Sequence, residues 1–202
     1  MTSTSVLTIG HSNHSLEKLV QLLNGHGVTA VADVRSSPYS RANPQFNREF
    51  LQEKLKDNGI AYVFLGRELG ARPADPAFYE NGRVQYRRLS QSAPFQEGLD
   101  RVMKGAASFN LALLCAEREP LVCHRTLLVA RELVARGVPV THIHADATLE
   151  THDEAMNRLI QLLGMPEKDL YRNREEIISD ACAIQEQRVA YVDEDLHKEA
   201  SA

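Results

Sequence analysis

Apolar and polar positions along the 202-residue chain follow two alternating rhythms. Short, nearly continuous apolar runs occur at 6–12 (VLTIGHS), 28–38 (VTAVADVRSSP), 60–65 (IAYVFL), 110–117 (NLALLCAE) and 138–146 (VPVTHIHAD). Runs of this length, two of them closed by Pro38 and Gly66, predict buried strands. Between them apolar residues recur at three- and four-residue spacing, as with Leu16, Leu19, Val20, Leu22 and Leu23, and again over 47–57, 94–109, 124–137 and 151–165. These stretches predict amphipathic helices, several stopped by Gly.

Strands alternating with helices imply parallel β-α-β units with right-handed crossovers. The expected fold is therefore α/β, a doubly wound and mostly parallel Rossmann-like sheet with helices on both faces. The simplest strand order, third-second-first-fourth-fifth, puts the first strand between the second and the fourth. Residues 66–94 break the rhythm with Gly66, Gly70, Pro73, Pro76, Gly82 and Pro94. An irregular excursion of that length in a compact domain points to function or disorder. Beyond Met165 the chain is acidic and weakly periodic, so residues 1–165 are expected to form one α/β domain and 166–202 a helical or partly disordered tail. No internal repeat or low-complexity segment stands out.

Charge and cysteine usage narrow the class. The net charge of −4 conceals a segregation: residues 35–88 carry ten Lys or Arg against six Asp or Glu, whereas 146–202 carry six against fourteen. A locally basic middle suits an anionic ligand, although a solvated mixture of charges reads the same way. No signal-like opening and no apolar run near the ~20 residues of a bilayer span are present, so no membrane partner is expected. Three cysteines, Cys115, Cys123 and Cys182, suit free thiols in a reducing compartment, and a cytoplasmic location is the expectation.

Chemistry collects where the predicted strands end. The first ends in His11 and Ser12; the second in Asp33 and Arg35, followed by Ser37, Ser40 and Arg41; the fourth in Cys115 and Glu117; the fifth in His142 and His144. Ligands of such folds bind beyond the carboxyl ends of the strands, at the point where strand order reverses. Each residue has a structural alternative: Asp33 as a turn cap, Ser12 as a helix cap, Cys115 as a small core residue. A folding constraint alone does not require a His, an Asp, a Glu and two Arg at one edge.

Several ordered motifs carry a resemblance. TIGHSN (8–13), DVRSSPYSR (33–41), NPQFN (43–47), LGRELGARP (65–73), LLCAEREPLVCHR (113–125) and VTHIHAD (140–146) resemble the bacterial and archaeal family named domain of unknown function 488. The resemblance spans roughly residues 6–146. It implies a fold and a motif set, not a reaction. One departure is Leu69-Gly70-Ala71, where the family more often shows Leu-Gly-Gly, so the loop after Gly70 is expected to differ in shape.

Within LLCAEREPLVCHR, an extended strand puts Cys115 and Glu117 on one face, and Cys123, His124 and Arg125 open the next helix. Free N–H groups and the positive dipole end there favour an anion or a thiolate. Arg125 either forks onto a phosphate or carboxylate, or pairs with Glu117 or Asp33 to satisfy a buried charge. A phosphatase loop needs Arg six residues after its Cys, but Leu121 and Val129 stand there. Neither a Walker loop nor GxGxxG is present, and HDEAM (152–156) lacks a zincin's second His.

The reading that remains is a hydrolase acting on an anionic, phosphate-bearing substrate such as a nucleotide or nucleic acid. Asp33, Glu117, His11 and Cys123 are its catalytic candidates, and Ser12, Arg35, Ser40, Arg41, Cys115, His124 and Arg125 its substrate-binding candidates. No cofactor or metal is assigned. Two alternatives stay open: a non-catalytic module that binds an anion or nucleic acid, and a thiol- or metal-dependent enzyme. For the latter Cys115, Cys123, His124, His142 and His144 offer ligands, although Cys-x7-Cys is wider than usual zinc spacing.

Overall fold

A computed structural model describes residues 4–200. Strand β1 (Val6–Gly10) leads through α1 (Leu16–Gly25) to β2 (Ala30–Asp33), and α2 (Arg48–Asp57) leads to β3 (Ala61–Phe64). The excursion that follows is ordered. It holds the short helix α3 (Gly66–Leu69), a hairpin of β4 (Tyr79–Glu80) and β5 (Arg83–Val84), and α4 (Tyr86–Ser90). Then come α5 (Ala93–Ala106), β6 (Leu111–Cys115), a π-helical stretch (Arg125–Ala130) running into α6 (Arg131–Ala135), and β7 (Val140–Ile143). Strand β8 (Leu149–Thr151) turns directly into α7 (His152–Leu162), and α8 (Arg174–Val189) and α9 (Glu194–Ala200) close the chain.

The fold is α/β, built on a six-stranded sheet in the order β3-β2-β6-β1-β7-β8, parallel except for β8. One expectation needs correction. The fourth parallel strand, β6, lies between β2 and β1 and pairs with both, so β1 does not separate them. The reason is burial: Leu111–Cys115 is apolar at every position and buried throughout, which suits a strand covered on both faces. Because β1 sends its chain towards β2 while β6 sends its chain towards β7, the order reverses between these two neighbours. That reversal opens a crevice at their carboxyl ends.

Alternate strand residues feed two cores. Ile9, Val31, Ala112, Leu114 and Ile143 pack with Leu19, Leu22 and Leu23 of α1 and Leu51 and Leu55 of α2. Val6, Ala30, Ala32, Leu111, Leu113, Cys115 and Val140 pack on the other face with α5, the π-helical stretch, α6, α7 and α8. Helix α8 presents Ile177, Ala181, Cys182 and Gln185, all buried, to this second core. Among the described residues no helix is long and apolar enough to cross a membrane.

Candidate functional site

The carboxyl edge carries two polar clusters, one on each face of the sheet, joined by Arg35. On the α1/α2 side Asp33 is fully buried, and four donors use its carboxylate. Oδ1 accepts from the Arg35 backbone N–H (3.1 Å) and Nε (2.9 Å), and Oδ2 accepts from Arg35 Nη2 (2.6 Å) and the Tyr62 hydroxyl (2.7 Å). This fork orients the guanidinium, whose Nη1 reaches His11 Nε2 at 3.1 Å. His11 Nδ1 in turn donates to the Ser12 carbonyl at 2.8 Å, so Nε2 is left to accept from Arg35. Burial and the Arg35 charge lower the His11 pKa to about 4, which keeps the ring neutral. Phe46 covers the imidazole, with ring centroids 4.2 Å apart. Burial and the Asp33 charge push the Tyr62 hydroxyl well above its ordinary pKa, so it stays a donor.

On the α5 side lie the groups of the CAEREPLVCHR stretch. Glu117 Oε2 sits 2.9 Å from Cys115 Sγ and 3.0 Å from Cys123 Sγ, and Cys115 Sγ is 3.6 Å from His124 Nδ1. His124 Nε2 donates to the Val34 carbonyl at 3.0 Å, so its Nδ1 lone pair faces the sulfurs. Cys123 caps the following helix in fact. Its backbone is extended, its carbonyl accepts from Leu127 N–H, and its Sγ accepts from Arg125 N–H at 3.4 Å. Burial opposes the Cys123 thiolate, but the Cys115 thiol, the Arg125 charge and His124 outweigh it and hold its pKa well below the ordinary thiol range. Cys115 is driven well above that range by burial and by its bond to Cys123. Burial works against charging His124, yet the neighbouring Cys123 raises its pKa.

The turn that brings the two cysteines together has identifiable causes. A 3-10 turn at Pro120–Val122 reverses the chain, capped by the Glu119 side chain, which accepts from Leu121 N–H at 3.1 Å. Arg125 is fully buried and donates to the backbone carbonyls of Glu117 (2.6 Å) and Arg118 (3.3 Å). Gly10 makes room for this turn, because a Cβ there would collide with the Glu117 carbonyl oxygen. On the next strand end, Gly66 likewise lets the Arg35 carbonyl approach.

Arg35, Cys115, Glu117 and His124 open into one cleft of about 290 Å³, walled also by Ser36, Ser37, Ala71, Arg72, Tyr86, Val189 and Tyr191. Arg72 lies over the Tyr191 ring, 4.6 Å from its centroid, and among the described residues it has no carboxylate partner. Tyr86 is positioned from the opposite wall by its backbone N–H, which donates to Glu186 of α8 at 2.8 Å.

Of the residues expected from sequence, His11, Asp33, Arg35, Cys115, Glu117, Cys123, His124 and Arg125 lie in the two joined clusters. Ser12, Ser40 and Arg41 do not line the cleft. Ser12 takes φ 51° and donates to Asn13, while Ser40 and Arg41 border a separate hollow with Tyr39, Pro44 and Asn47. His142 and His144 also stand apart from the cysteines. His142 Nδ1 meets Thr8 Oγ1 (2.8 Å) and its Nε2 meets His152 (3.3 Å), and His144 pairs with Glu150 (3.0 Å). Ser36, Ala71, Arg72, Tyr86, Val189 and Tyr191 are among the wall residues that the strand ends do not foretell. Arg72 lies inside the LGRELGARP motif, which was the available signal; Val189 and Tyr191 arrive from the acidic tail, which offered none.

A family model described as domain of unknown function DUF488 matches residues 15–131, more than half of the chain. The chain belongs to this family. The match takes in β2, β6 and both clusters except His11. No curated protein and no solved structure matches the chain.

Proposed function

We propose that this DUF488 protein is a hydrolase that takes an anionic, phosphate-bearing substrate, such as a nucleotide or nucleic acid, into the cleft at the ends of β2 and β6. The observation that carries the reading is the pairing of two cations with a proton-handling cluster in one concavity: Arg35 and Arg72 beside Glu117, His124 and Cys115. Arg35 is aimed by Asp33 and His11 before any ligand arrives, and Arg72 is held over Tyr191 with no carboxylate partner among the described residues. Preset cations favour phosphate oxygens at little ordering cost.

Glu117 then acts on water as the general base, and His124, whose pKa the cluster raises and whose Nε2–H stays on the Val34 carbonyl, takes up a proton at Nδ1 and returns it to the leaving group. Asp33 and Arg125 act through what they hold and are positioning residues, because neither reaches the cleft. Tyr86 and Tyr191 supply aromatic walls of the kind a nucleobase stacks on.

The test is a turnover screen of nucleotides, short oligonucleotides and simple phosphate esters with three proteins. Glu117→Gln is expected to lower kcat by about 10²–10⁴-fold with KM little changed. Arg72→Ala is expected to raise KM by about tenfold, the equivalent of ~1.4 kcal/mol, with kcat preserved. Saturable binding of a phosphate compound that never turns over, and that survives Glu117→Gln, would replace the hydrolase with an anion-binding module.

A further inference from the structure

We infer that Cys115, Glu117, Cys123 and His124 form a four-ligand site for a thiophilic divalent cation of the zinc class, seated in the floor of the cleft. One ligand atom from each residue lies within 4.8 Å of the other three. A tetrahedral zinc ion with Zn–S of about 2.3 Å and Zn–N of about 2.0 Å needs S···N edges of about 3.6 Å. Cys115 Sγ and His124 Nδ1 are already 3.6 Å apart.

The surroundings of the cluster are those of a ligand set. His124 Nε2–H is tied to the Val34 carbonyl, which fixes the tautomer and turns Nδ1 towards the sulfurs. Cys123 Sγ receives the Arg125 N–H, an interaction that favours a thiolate ligand. Glu117 Oε2 lies within 3.0 Å of both sulfurs, an approach that requires protons or a cation between three potentially anionic atoms in a buried place. A divalent cation replaces those protons and opens the carboxylate-to-sulfur distances by about 0.5 Å. Two thiolates, an imidazole and a carboxylate in tetrahedral array select zinc over magnesium or calcium, which prefer all-oxygen shells.

Spacing explains why this set escapes a zinc-motif reading. The seven residues between the cysteines are folded back by the Pro120–Val122 turn, which brings both sulfurs against Glu117 Oε2. The two histidines added to the set on sequence grounds, His142 and His144, have other partners and are not needed.

The ligands are not equally held. The cysteines are buried and His124 is braced by Val34, whereas among the described residues the Glu117 carboxylate has no hydrogen-bond partner besides the two sulfurs. Glu117 is therefore the ligand that leaves when a substrate oxygen or water enters. In that case the cation takes the place of the His124 acid in the hydrolysis proposed above, because a ligating Nδ1 carries no proton, and this last step rests on that reading. The binding site itself does not.

The experiment uses the full chain, reduced, freed of metal by a chelator and titrated with Co²⁺ and then Zn²⁺. One Co²⁺ per chain is expected, with an intense near-ultraviolet thiolate-to-cobalt absorption and visible bands of tetrahedral intensity, bleached by one equivalent of Zn²⁺. Cys123→Ser and His124→Gln should each weaken binding by at least 100-fold, Glu117→Gln by about tenfold, and Cys182→Ser should leave it unchanged. Absence of the thiolate band in the wild-type chain, or a band that survives Cys123→Ser, overturns the site without any appeal to a variant's folding. The two proposals fail separately. Stoichiometric zinc with no turnover removes the hydrolase and keeps the site, whereas turnover by metal-free protein removes the cation from the reaction.

Discussion

The Asp33–Arg35 pair gives the sharpest quantitative test, because sequence and structure lead to opposite outcomes for Asp33→Asn. Read as a catalytic carboxylate, Asp33 would tolerate the change with little loss of fold. The structure buries it completely and surrounds its two oxygens with four donors, three of them from Arg35. Asparagine removes the charge and turns an NH2 group towards Arg35 Nη2 or the Tyr62 hydroxyl, leaving a buried guanidinium without its counter-ion. Breaking one side of such a pair costs about 3–5 kcal/mol. For a chain of this size that lowers Tm by roughly 6–20 °C. Urea denaturation followed by circular dichroism, comparing Asp33→Asn, Arg35→Met and the double variant, separates pairing from general disruption. Each single change is expected to shift the midpoint by the full penalty at unchanged m-value, and the double change by much less than the sum, because two neutral groups need no counter-ion. A cost below about 1 kcal/mol for Asp33→Asn, or additive single effects, would refute the positioning role.

Three further outcomes are expected. Burial lowers the pKa of His142 to about 2, and burial with the Arg131 charge lowers that of His152 to about 4. With His11 also near 4, the unfolded chain binds protons below the ordinary value of 6.5 that the folded chain refuses. Stability is therefore fully present above pH 6.5 and falls as pH drops towards 4, by up to about 1.4 kcal/mol per pH unit for each histidine. His152→Gln should flatten that slope in urea midpoints taken between pH 4.5 and 7, and an unchanged slope would contradict the assignment. Gly10→Ala, which drives a methyl into the Glu117 carbonyl, should cost about 1–3 kcal/mol and abolish cobalt binding, while ordinary stability with intact cobalt spectra would show the turn to be pliable. Ile177→Ala should cost about 2–5 kcal/mol in one cooperative transition, because Ile177 anchors α8 in the core around β6; a negligible cost would detach α8 from that core.

Much of the framework was legible because buried parallel strands and amphipathic helices leave different periodicities. The runs at 6–12, 28–38, 60–65, 110–117 and 138–146 contain β1, β2, β3, β6 and β7. Strand order was less legible: nothing local distinguishes a strand that neighbours β2 from one that neighbours β7, and only the uninterrupted burial of Leu111–Cys115 explains its place. Strand β8 escaped because it is three residues long and ends in the capping box that starts α7, where Thr151 bonds Glu154. Helix α8 lies in the stretch expected to be a helical or partly disordered tail, but its packing into the core was not legible. Its buried positions Ile177, Ala181 and Gln185 do follow a four-residue spacing, but an Ala and a Gln there give little hydrophobic contrast. The site followed the same rule. Arg35, Cys115 and Glu117 follow from strand ends and His124 from the helix start beyond one, as do Ser12, His142 and His144 from strand ends although they stand apart from the cleft, whereas Arg72 and Tyr191 are delivered by irregular or tail segments.

The thiol cluster depends on contacts from α7, from α8 and from the end of β2. The turn between Cys115 and Cys123 would be a seven-residue loop with little reason to hold one shape, yet its carbonyls and side chains are claimed from four directions. Arg125 holds the Glu117 and Arg118 carbonyls, and Arg158 of α7 binds Glu119 at 2.8 Å. Gln185 of α8 donates to the Leu121 carbonyl at 2.9 Å, and Val34 at the end of β2 braces His124. Apart from the Arg125 backbone N–H, which reaches Cys123 Sγ, these contacts act on the turn and on His124, and together they remove the freedom that two cysteines with seven residues between them would otherwise lose on meeting a cation. Such preorganisation moves the entropic cost of assembling the site into folding. The acidic C-terminal helices thereby acquire a role that their composition does not suggest: α8 supports the turn from beneath through Gln185, while Val189 and Tyr191, at its end and just beyond, close the cleft above it.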